Sequence, residues 1–267
     1  MNASRIITLT TDFGTTDAYA GSMKGAVLSV CPAATIVDIT HQIPPQNIRA
    51  AQFMLQSAYR SFPPGTVHVA VVDPGVGSAR PSIIIETAQY LFVGPDNGIF
   101  SFVFSEAAHC EVFEITNKAY MSARTSATFH GRDIFAPVAA HLTAGVAAAE
   151  IGTRTESRAN LPLPKTRILD AQTIQGEIIH IDHYGNLVTN ITQSDIRATF
   201  CNSPFSVSVN KTTIEKQVGH YDEAPAETLF CLYGSLSFLE ISLKNDAATR
   251  LLPSQIGTPV LLTKKMD

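Results

Sequence analysis

The chain holds 267 residues, 45% of them hydrophobic and 16% charged, with a formal net charge of −4. A chain of this length buries most of its apolar surface in one large or two modest domains. The low charge, without a block of one sign, excludes disorder and a phosphate-backbone footprint, so no nucleic acid partner is expected. No apolar run reaches the ~18 residues that would span a bilayer. The start, Met1-Asn2-Ala3-Ser4-Arg5, has no basic segment leading into a long apolar one, so a cytoplasmic protein without membrane contact is expected. Cys31, Cys110, Cys201 and Cys231 lie far apart without CxxC or CxxxH spacing, and are read as reduced, mostly buried thiols rather than zinc ligands or disulfides.

In chain order, residues 6–10 read as a strand, 19–30 as a helix, 35–38 as a strand and 47–60 as a helix with Ile48, Ala51, Phe53, Leu55 and Ala58 at apolar positions. The run Val67-His68-Val69-Ala70-Val71-Val72 predicts a strand covered on both faces, and 82–86, 90–93 and 112–115 predict further strands. A helix with Phe135, Val138, Ala139 and Leu142 on one side follows Gly131-Arg132-Asp133. This alternation predicts an α/β N-terminal domain, residues 1–155, with a mainly parallel central sheet. The polar stretch 156–172, with Leu161-Pro162-Leu163-Pro164-Lys165, is read as a linker in which helix and strand both fail. Short strands at 173–182, 187–189, 205–209, 229–232 and 238–243 predict a small all-β, barrel-like C-terminal domain, residues 173–267.

Several residues carry possible chemistry. Asp12, in Thr10-Thr11-Asp12-Phe13-Gly14, stands at the carboxyl end of the first strand, where open α/β sheets bind ligands. A carboxylate there can accept from a ribose diol, and on this feature alone the competing reading of a helix or turn cap is the simpler one. Asp73 also ends a strand; Pro74-Gly75 turns the chain, Gly77 lets backbone approach a ligand, and Arg80 can fold back on Asp73. A turn-stabilising salt bridge accounts for that pair equally well. His130 gains weight only in company, and Arg132-Asp133 reads as structural, a carboxylate at a helix N-terminus. Asp182-His183-Tyr184-Gly185-Asn186 offers a carboxylate, an aromatic ring and an amide suited to an adenine face and an ammonium group; a plain β-turn is its alternative. Ser235 and Glu240 are weaker candidates. The glycines form neither GxGxxG nor a phosphate loop.

Together these residues resemble the S-adenosyl-L-methionine hydrolases, the S-adenosylmethionine hydroxide adenosyltransferases, relatives of the fluorinating and chlorinating enzymes. The resemblance is carried by Thr11-Asp12-Phe13-Gly14-Thr15-Thr16-Asp17, Val37-Asp38-Ile39-Thr40-His41-Gln42-Ile43-Pro44-Pro45, Val71-Val72-Asp73-Pro74-Gly75-Val76-Gly77, Gly94-Pro95-Asp96-Asn97-Gly98, Phe129-His130-Gly131-Arg132-Asp133-Ile134-Phe135-Ala136-Pro137 and Ile181-Asp182-His183-Tyr184-Gly185-Asn186. It implies a homotrimer with sites at subunit interfaces, between the N-domain of one subunit and the C-domain of the next. It further implies Asp73, Arg80 and His130 as the water-activating trio, Asp12 on the ribose diol and Phe129 lining the pocket. Asp182 falls on the methionine ammonium, Asn186, beside the Tyr184 ring, on adenine, and Ser235 on the methionine carboxylate. The chain departs from the family pattern at Ser237, where glycine is usual, and at Lys244-Asn245, where relatives often carry Asn-Gly.

The chemistry follows from the substrate. A sulfonium leaves as a neutral thioether, so attack of water at the ribose C5′ needs neither a general acid nor a phosphate clamp, and no cofactor or metal is expected. Orienting the water in a dry pocket can supply up to roughly 7–11 kcal/mol of the barrier. An Asp-Arg-His trio favours water over halide. A trimer that binds S-adenosylmethionine or adenosine as a sensor, without significant turnover, is the alternative, as is a halide-dependent 5′-halo-5′-deoxyadenosine synthase. A metal-dependent hydrolase using Asp12, Asp73, His130 and Asp133 lacks recognisable ligand spacing.

Overall fold

The structure, a computed structural model, describes residues 4–201 and 203–265; Met1 to Ala3, part of the expected N-terminal lead, lie outside them. The chain divides into two units, Met1–Pro162 and Leu163–Asp267.

In the N-terminal unit β1 (Ile6–Thr11), α1 (Tyr19–Val30), β2 (Thr35–Thr40), α2 (Ile48–Ala58) and β3 (Val67–Val71) follow one another as crossover connections require. Asn47 starts α2 by accepting the Ala50 N–H at 3.0 Å. Then come β4 (Ser82–Thr87), β5 (Leu91–Pro95), α3 (Ser101–Glu106), β6 (Cys110–Ile115), α4 (Ala136–Thr143), α5 (Ala148–Ile151) and β7 (Gly152–Arg154). The sheet order is β2-β1-β3-β5-β4-β6-β7. Alternate residues of β3 feed two cores. Val67, Val69 and Val71 meet Met23, Val27 and Val138 on one face. Ala70 and Val72 meet Leu55, Tyr59, Phe92 and Phe100 on the other. Burial on both faces explains the unbroken apolar run.

The expectation of a mainly parallel sheet needs correction. β2, β1, β3 and β5 pair in parallel, but β5–β4, β4–β6 and β6–β7 are antiparallel, so the sheet is mixed. Only residues 88–90 separate β4 from β5, enough for a hairpin and far too few for a crossover.

His68, within β3, is fully buried. Its Nδ1 lies 2.8 Å from Thr8 Oγ1 and its ring stacks on Phe92 at 5.3 Å. Burial pushes its pKa down to about 3. The unfolded chain therefore binds a proton that the fold rejects, and stability present above the ordinary value of 6.5 is lost as pH falls toward 3. At full effect that amounts to roughly 5 kcal/mol. Denaturant titrations between pH 8 and 4 should show this decline, and His68→Gln, which cannot titrate, should flatten it; a parallel decline in the variant would assign the effect elsewhere.

In the C-terminal unit β8 (Arg167–Asp170), β9 (Thr173–Ile181), β10 (Leu187–Thr192), α6 (Gln193–Phe200), β11 (Phe205–Val209), β12 (Thr212–Ile214), β13 (Leu229–Tyr233), β14 (Phe238–Leu243), α7 (Ala248–Leu251) and β15 (Pro259–Lys264) form one antiparallel sheet around a core of Ile178, Leu187, Phe205, Val207, Ile241 and Val260. Its order is β12-β11-β15-β9-β10-β14-β13, with β8 on β9. Beyond β12, Lys216 O accepts from Cys231 N at 2.8 Å and Cys231 O from Val218 N at 3.0 Å, which nearly closes the sheet into a barrel.

Two sequence expectations change here. Part of the stretch read as linker, residues 167–170, is strand, because the edge of β9 offers it a ladder. The unit is also not all-β. Thr192 and Asp195 form a reciprocal capping box, with bonds of 3.1 and 3.0 Å, and α6 follows it, burying Ile196 and Phe200. Among the cysteines, Cys31 and Cys231 are buried and Cys201 is exposed; all four are free. No helix of the described residues is long and apolar enough to cross a membrane.

Candidate active site

Asp12 and Asp73 follow the carboxyl ends of β1 and β3, adjacent parallel strands in which Thr11 pairs with Val71. Between β3 and β4 the chain loops back, and Arg80 meets Asp73 edge-on. Nε donates to Oδ1 and Oδ2 at 3.0 and 3.1 Å, and Nη2 donates to Oδ2 as well. Nη2 also lies 2.8 Å from His130 Nδ1. The side chains of Arg80 and Asp73 are only 10% and 5% exposed, so this is a buried, bidentate pair rather than a surface bridge. Three residues that the sequence does not connect to the trio complete the cradle. Arg80 Nη1 donates to Ser82 Oγ at 2.7 Å and to Pro81 O at 3.2 Å, and the guanidinium lies 5.3 Å over the Phe135 ring. Phe135 was legible only as an apolar helix position, and nothing in the sequence marked Ser82.

Gly77 is what lets this loop close. Its φ is +77°, and a Cβ there would stand 2.4 Å from the Ala127 carbonyl oxygen. The close approach seen here is to the segment preceding His130.

The guanidinium can only donate, so His130 Nδ1 accepts from it and the neutral ring carries its proton on Nε2. Burial first, then the Arg80 charge, lowers the His130 pKa, against the smaller opposing pull of Asp73 and Asp133. All five guanidinium hydrogens are engaged, by Asp73, His130, Ser82 and Pro81. No Arg80 donor is left for a water.

Gly131 to Phe135 form a single π-helical turn ahead of α4. Asp133 is buried there, accepting from Ser126 N at 2.8 Å and from Arg132 Nε at 2.7 Å, and thereby ties down the loop before Phe129. Phe129 joins Phe13 at 5.6 Å and Tyr19 at 5.3 Å in an edge-to-face aromatic cluster beside Asp12. Asp12 caps no helix; its Oδ2 accepts the Gln46 N–H at 2.8 Å, and Oδ1 has no hydrogen bond among the described residues. The set considered for a metal, Asp12, Asp73, His130 and Asp133, is not gathered as a ligand cluster, nor is any group of three such side chains among the described residues.

The remaining candidates lie in the C-terminal unit. Asp182 Oδ1 accepts from Tyr184 N and Asn186 N at 2.9 and 2.8 Å, and Oδ2 from Asn186 Nδ2 at 2.9 Å. Gly185, at φ +81° and against Ala247, closes that turn. Asp182, Tyr184, Asn186 and Ser235 line one cavity of about 1030 Å³ together with Tyr221 and Glu240. Asn186 is buried, whereas Tyr184 is 76% exposed and free to stack. Tyr221 Oη donates to Glu240 Oε2 at 3.2 Å; burial raises the Glu240 pKa and pushes that of Tyr221 up to about 12. Tyr221 carried no sequence signal.

Of the two departures from the family pattern, Lys244-Asn245 line this cavity and Ser237 lies in the loop that follows Gly234 and Ser235. Asn245 takes φ +59°, which asparagine tolerates better than most residues, and Lys244 Nζ donates to Asp222 O at 2.8 Å. Ser237 takes φ +62° at the end of a tight hairpin loop closed by Ser237 N to Gly234 O at 2.9 Å. Ser237→Gly should relieve that strain and stabilise the chain by about 1 kcal/mol, raising the urea midpoint. An unchanged or lower midpoint would mean that the serine compensates its own strain.

Models of the two domains of the SAM hydroxide adenosyltransferases match this chain, the N-terminal domain over residues 7–152 and the C-terminal domain over residues 176–261. The chain belongs to that family. The chain is 37% identical over 258 residues to the (R)-S-adenosyl-L-methionine hydrolase of Methanocaldococcus jannaschii, covering 92% of this chain and 91% of the other. It is 33% identical to the enzyme of the same name from Thermus thermophilus, covering 94% and 96%. The fluorinase of an Actinoplanes species is 30% identical over 221 residues, covering 73% and 74%. A crystal structure of an uncharacterized conserved protein from Thermotoga maritima superposes with a TM-score of 0.90 at 33% identity, covering 97% of this chain and all, 100%, of the other.

Proposed function

We propose that this chain hydrolyses S-adenosyl-L-methionine to adenosine and L-methionine by attack of water at the ribose C5′. The observation that carries the reading is the buried Asp73–Arg80–His130 assembly, in a chain that resembles curated hydrolases over more than nine-tenths of its length. Those relatives are named for the R epimer at sulfur, and we extend that preference to this chain.

With every Arg80 hydrogen engaged, the water is held by the other two members. The Nε2–H of His130 donates to its oxygen, Asp73 accepts one of its hydrogens, and the second oxygen lone pair faces C5′. As the C5′–O bond forms, the C5′–S pair leaves on sulfur as the neutral thioether of methionine and the proton passes to Asp73. The carboxylate alone suffices as base, with no general acid opposite it, because the sulfonium needs no protonation to leave. Arg80 orients the Asp73 carboxylate and fixes the tautomer of His130. Asp12 takes the ribose diol through its open Oδ1, with Phe129 along the pocket. Asp182 holds the ammonium, Tyr184 and Asn186 the adenine, and Ser235 the methionine carboxylate. The proposal includes a homotrimer with sites at subunit interfaces, cytoplasmic and working without cofactor or metal.

Incubation of chelator-treated protein with each sulfonium epimer and chloride in ¹⁸O-water tests this. Adenosine labelled at its 5′ oxygen, formed faster from the R epimer, is the expected product. Unchanged substrate would establish a binder, 5′-chloro-5′-deoxyadenosine a halogenase, and activity lost to chelator a metal enzyme.

A further inference from the structure

Behind Asp12 lies a second polar chain that the hydrolysis chemistry does not use. Asp38 and His41 are three residues apart at the end of β2, a spacing that places side chains on opposite faces of a regular strand. Here Asp38 pairs with Leu9 but Thr40 pairs with Thr10, so Ile39 is an extra residue in a β-bulge. The bulge turns both side chains to one side. His41, whose side chain is only 4% exposed, then has its Nε2 3.1 Å from Asp38 Oδ1 and its Nδ1 2.7 Å from Thr11 Oγ1. The Nε2 contact has the distance of an ion pair without the alignment of a hydrogen bond.

The proton positions follow. The Asp38 carboxylate only accepts, so the His41 Nε2–H faces it, and in that tautomer Nδ1 accepts the Thr11 hydroxyl hydrogen while Thr11 Oγ1 accepts the Phe13 N–H at 3.2 Å. Lys24 of α1 donates to the other Asp38 oxygen. Burial works to raise the Asp38 pKa, but Lys24 and His41 outweigh it and hold the carboxylate below its usual range. His41 also grips the turn through its main chain, its carbonyl accepting from Gly14 N at 2.7 Å. Just beyond, Gln46 N donates to Asp12 Oδ2. The turn bearing Asp12 is thus fastened at Thr11, Asp12 and Gly14 by residues 41–46.

We propose that His41 is a positioning residue. Oriented by Asp38, it sets the turn of residues 11–14 and aims the open oxygen of Asp12 at the ribose diol. The inference rests on the diol reading of Asp12 and deepens it, from a single carboxylate to a Lys24–Asp38–His41–Thr11 relay behind it.

The test is the ratio of kcat/KM for S-adenosyl-L-methionine to that for its 2′-deoxyribose analogue, read in the wild type and in variants. Asp12→Ala is expected to lower the ratio by roughly tenfold or more, the weight of one charge-assisted hydrogen bond. His41→Leu and Asp38→Asn should lower it by about fivefold, mainly through KM for the ribose substrate, because the carboxylate is present but loosely aimed. His41→Asn, whose amide oxygen can replace Nδ1 as acceptor for Thr11 but which has nothing in place of Nε2 to meet Asp38, should restore part of the ratio. A merely structural role reduces both substrates alike and leaves the ratio unmoved. Asp38 is more than a third exposed, so its variant keeps the test open if His41→Leu fails to fold. A wild-type ratio in both His41→Leu and Asp38→Asn overturns the proposal, provided that Asp12→Ala moves it. A wild-type ratio in Asp12→Ala overturns the diol reading beneath it.

Discussion

Asp73→Asn is expected to lower kcat by roughly two to four orders of magnitude at saturating S-adenosyl-L-methionine, the usual weight of a positioned general base. Asparagine keeps the volume and one acceptor oxygen, so the Arg80 Nε bond to Oδ1 has a partner after the change. What disappears is the negative charge and the acceptor that takes the water's proton, while the amide NH₂ opposes Arg80 Nη2, which now donates to Oδ2. The guanidinium, 10% exposed, then has no anion against it. Breaking a buried pair by neutralising one member costs about 3–5 kcal/mol of stability. Both quantities are needed together: kcat by product formation, and stability by denaturant midpoint at one pH. A loss of kcat below tenfold in folded protein would remove Asp73 from the chemistry and leave it as a loop anchor.

Arg80→Leu is expected to damage the fold to a similar extent and to move the titration of His130. Asp73, 5% exposed, would face a hydrocarbon side chain in place of a fork of donors, again at about 3–5 kcal/mol. His130 would lose both the donor on Nδ1 and the positive charge that helps burial to hold its pKa down, while the influence of Asp73 and Asp133, which raises it, would persist. Its pKa therefore rises in the variant. Because the folded-state value is depressed in the wild type, protonating His130 opposes the native arrangement there and opposes it less in the variant. The acid limb of the rate profile should accordingly move to higher pH, and an NMR titration of the His130 ring should show the same displacement. An unmoved imidazole titration would mean that Arg80 does not govern the tautomer, and the role given to the Nε2–H would fall with it.

Much of the frame was legible without coordinates. The apolar runs and their periodicity mark β3, α1, β11 and β14 to within a residue, because burial on two faces or one leaves a direct imprint on composition. Strand ends carrying Asp12 and Asp73 were visible for the same reason. The antiparallel half of the N-terminal sheet is written in connection length rather than in strand content, since three residues between β4 and β5 require a hairpin. The helix α6 was missed despite its Thr192-x-x-Asp195 start, because three polar residues between 192 and 196 look like a turn until the box closes.

The site divides along a different line. Chain order and local chemistry determined by themselves which side chains are available: an acid, an arginine and a histidine in glycine-marked turns, and an Asp-His-Tyr-Gly-Asn turn in the second unit. They did not determine that Arg80 would spend all five donors, that Phe135 and Ser82 would hold it, or that a one-residue bulge would bring Asp38 and His41 to the same side behind Asp12. Hydrophobic pattern is written residue by residue, because each side chain's transfer from water is nearly independent of its neighbours. Hydrogen-bond partners and protonation states belong to pairs and triples distant in sequence, such as Asp73, Arg80 and His130, whose distances and burial exist only once the strands and loops have packed.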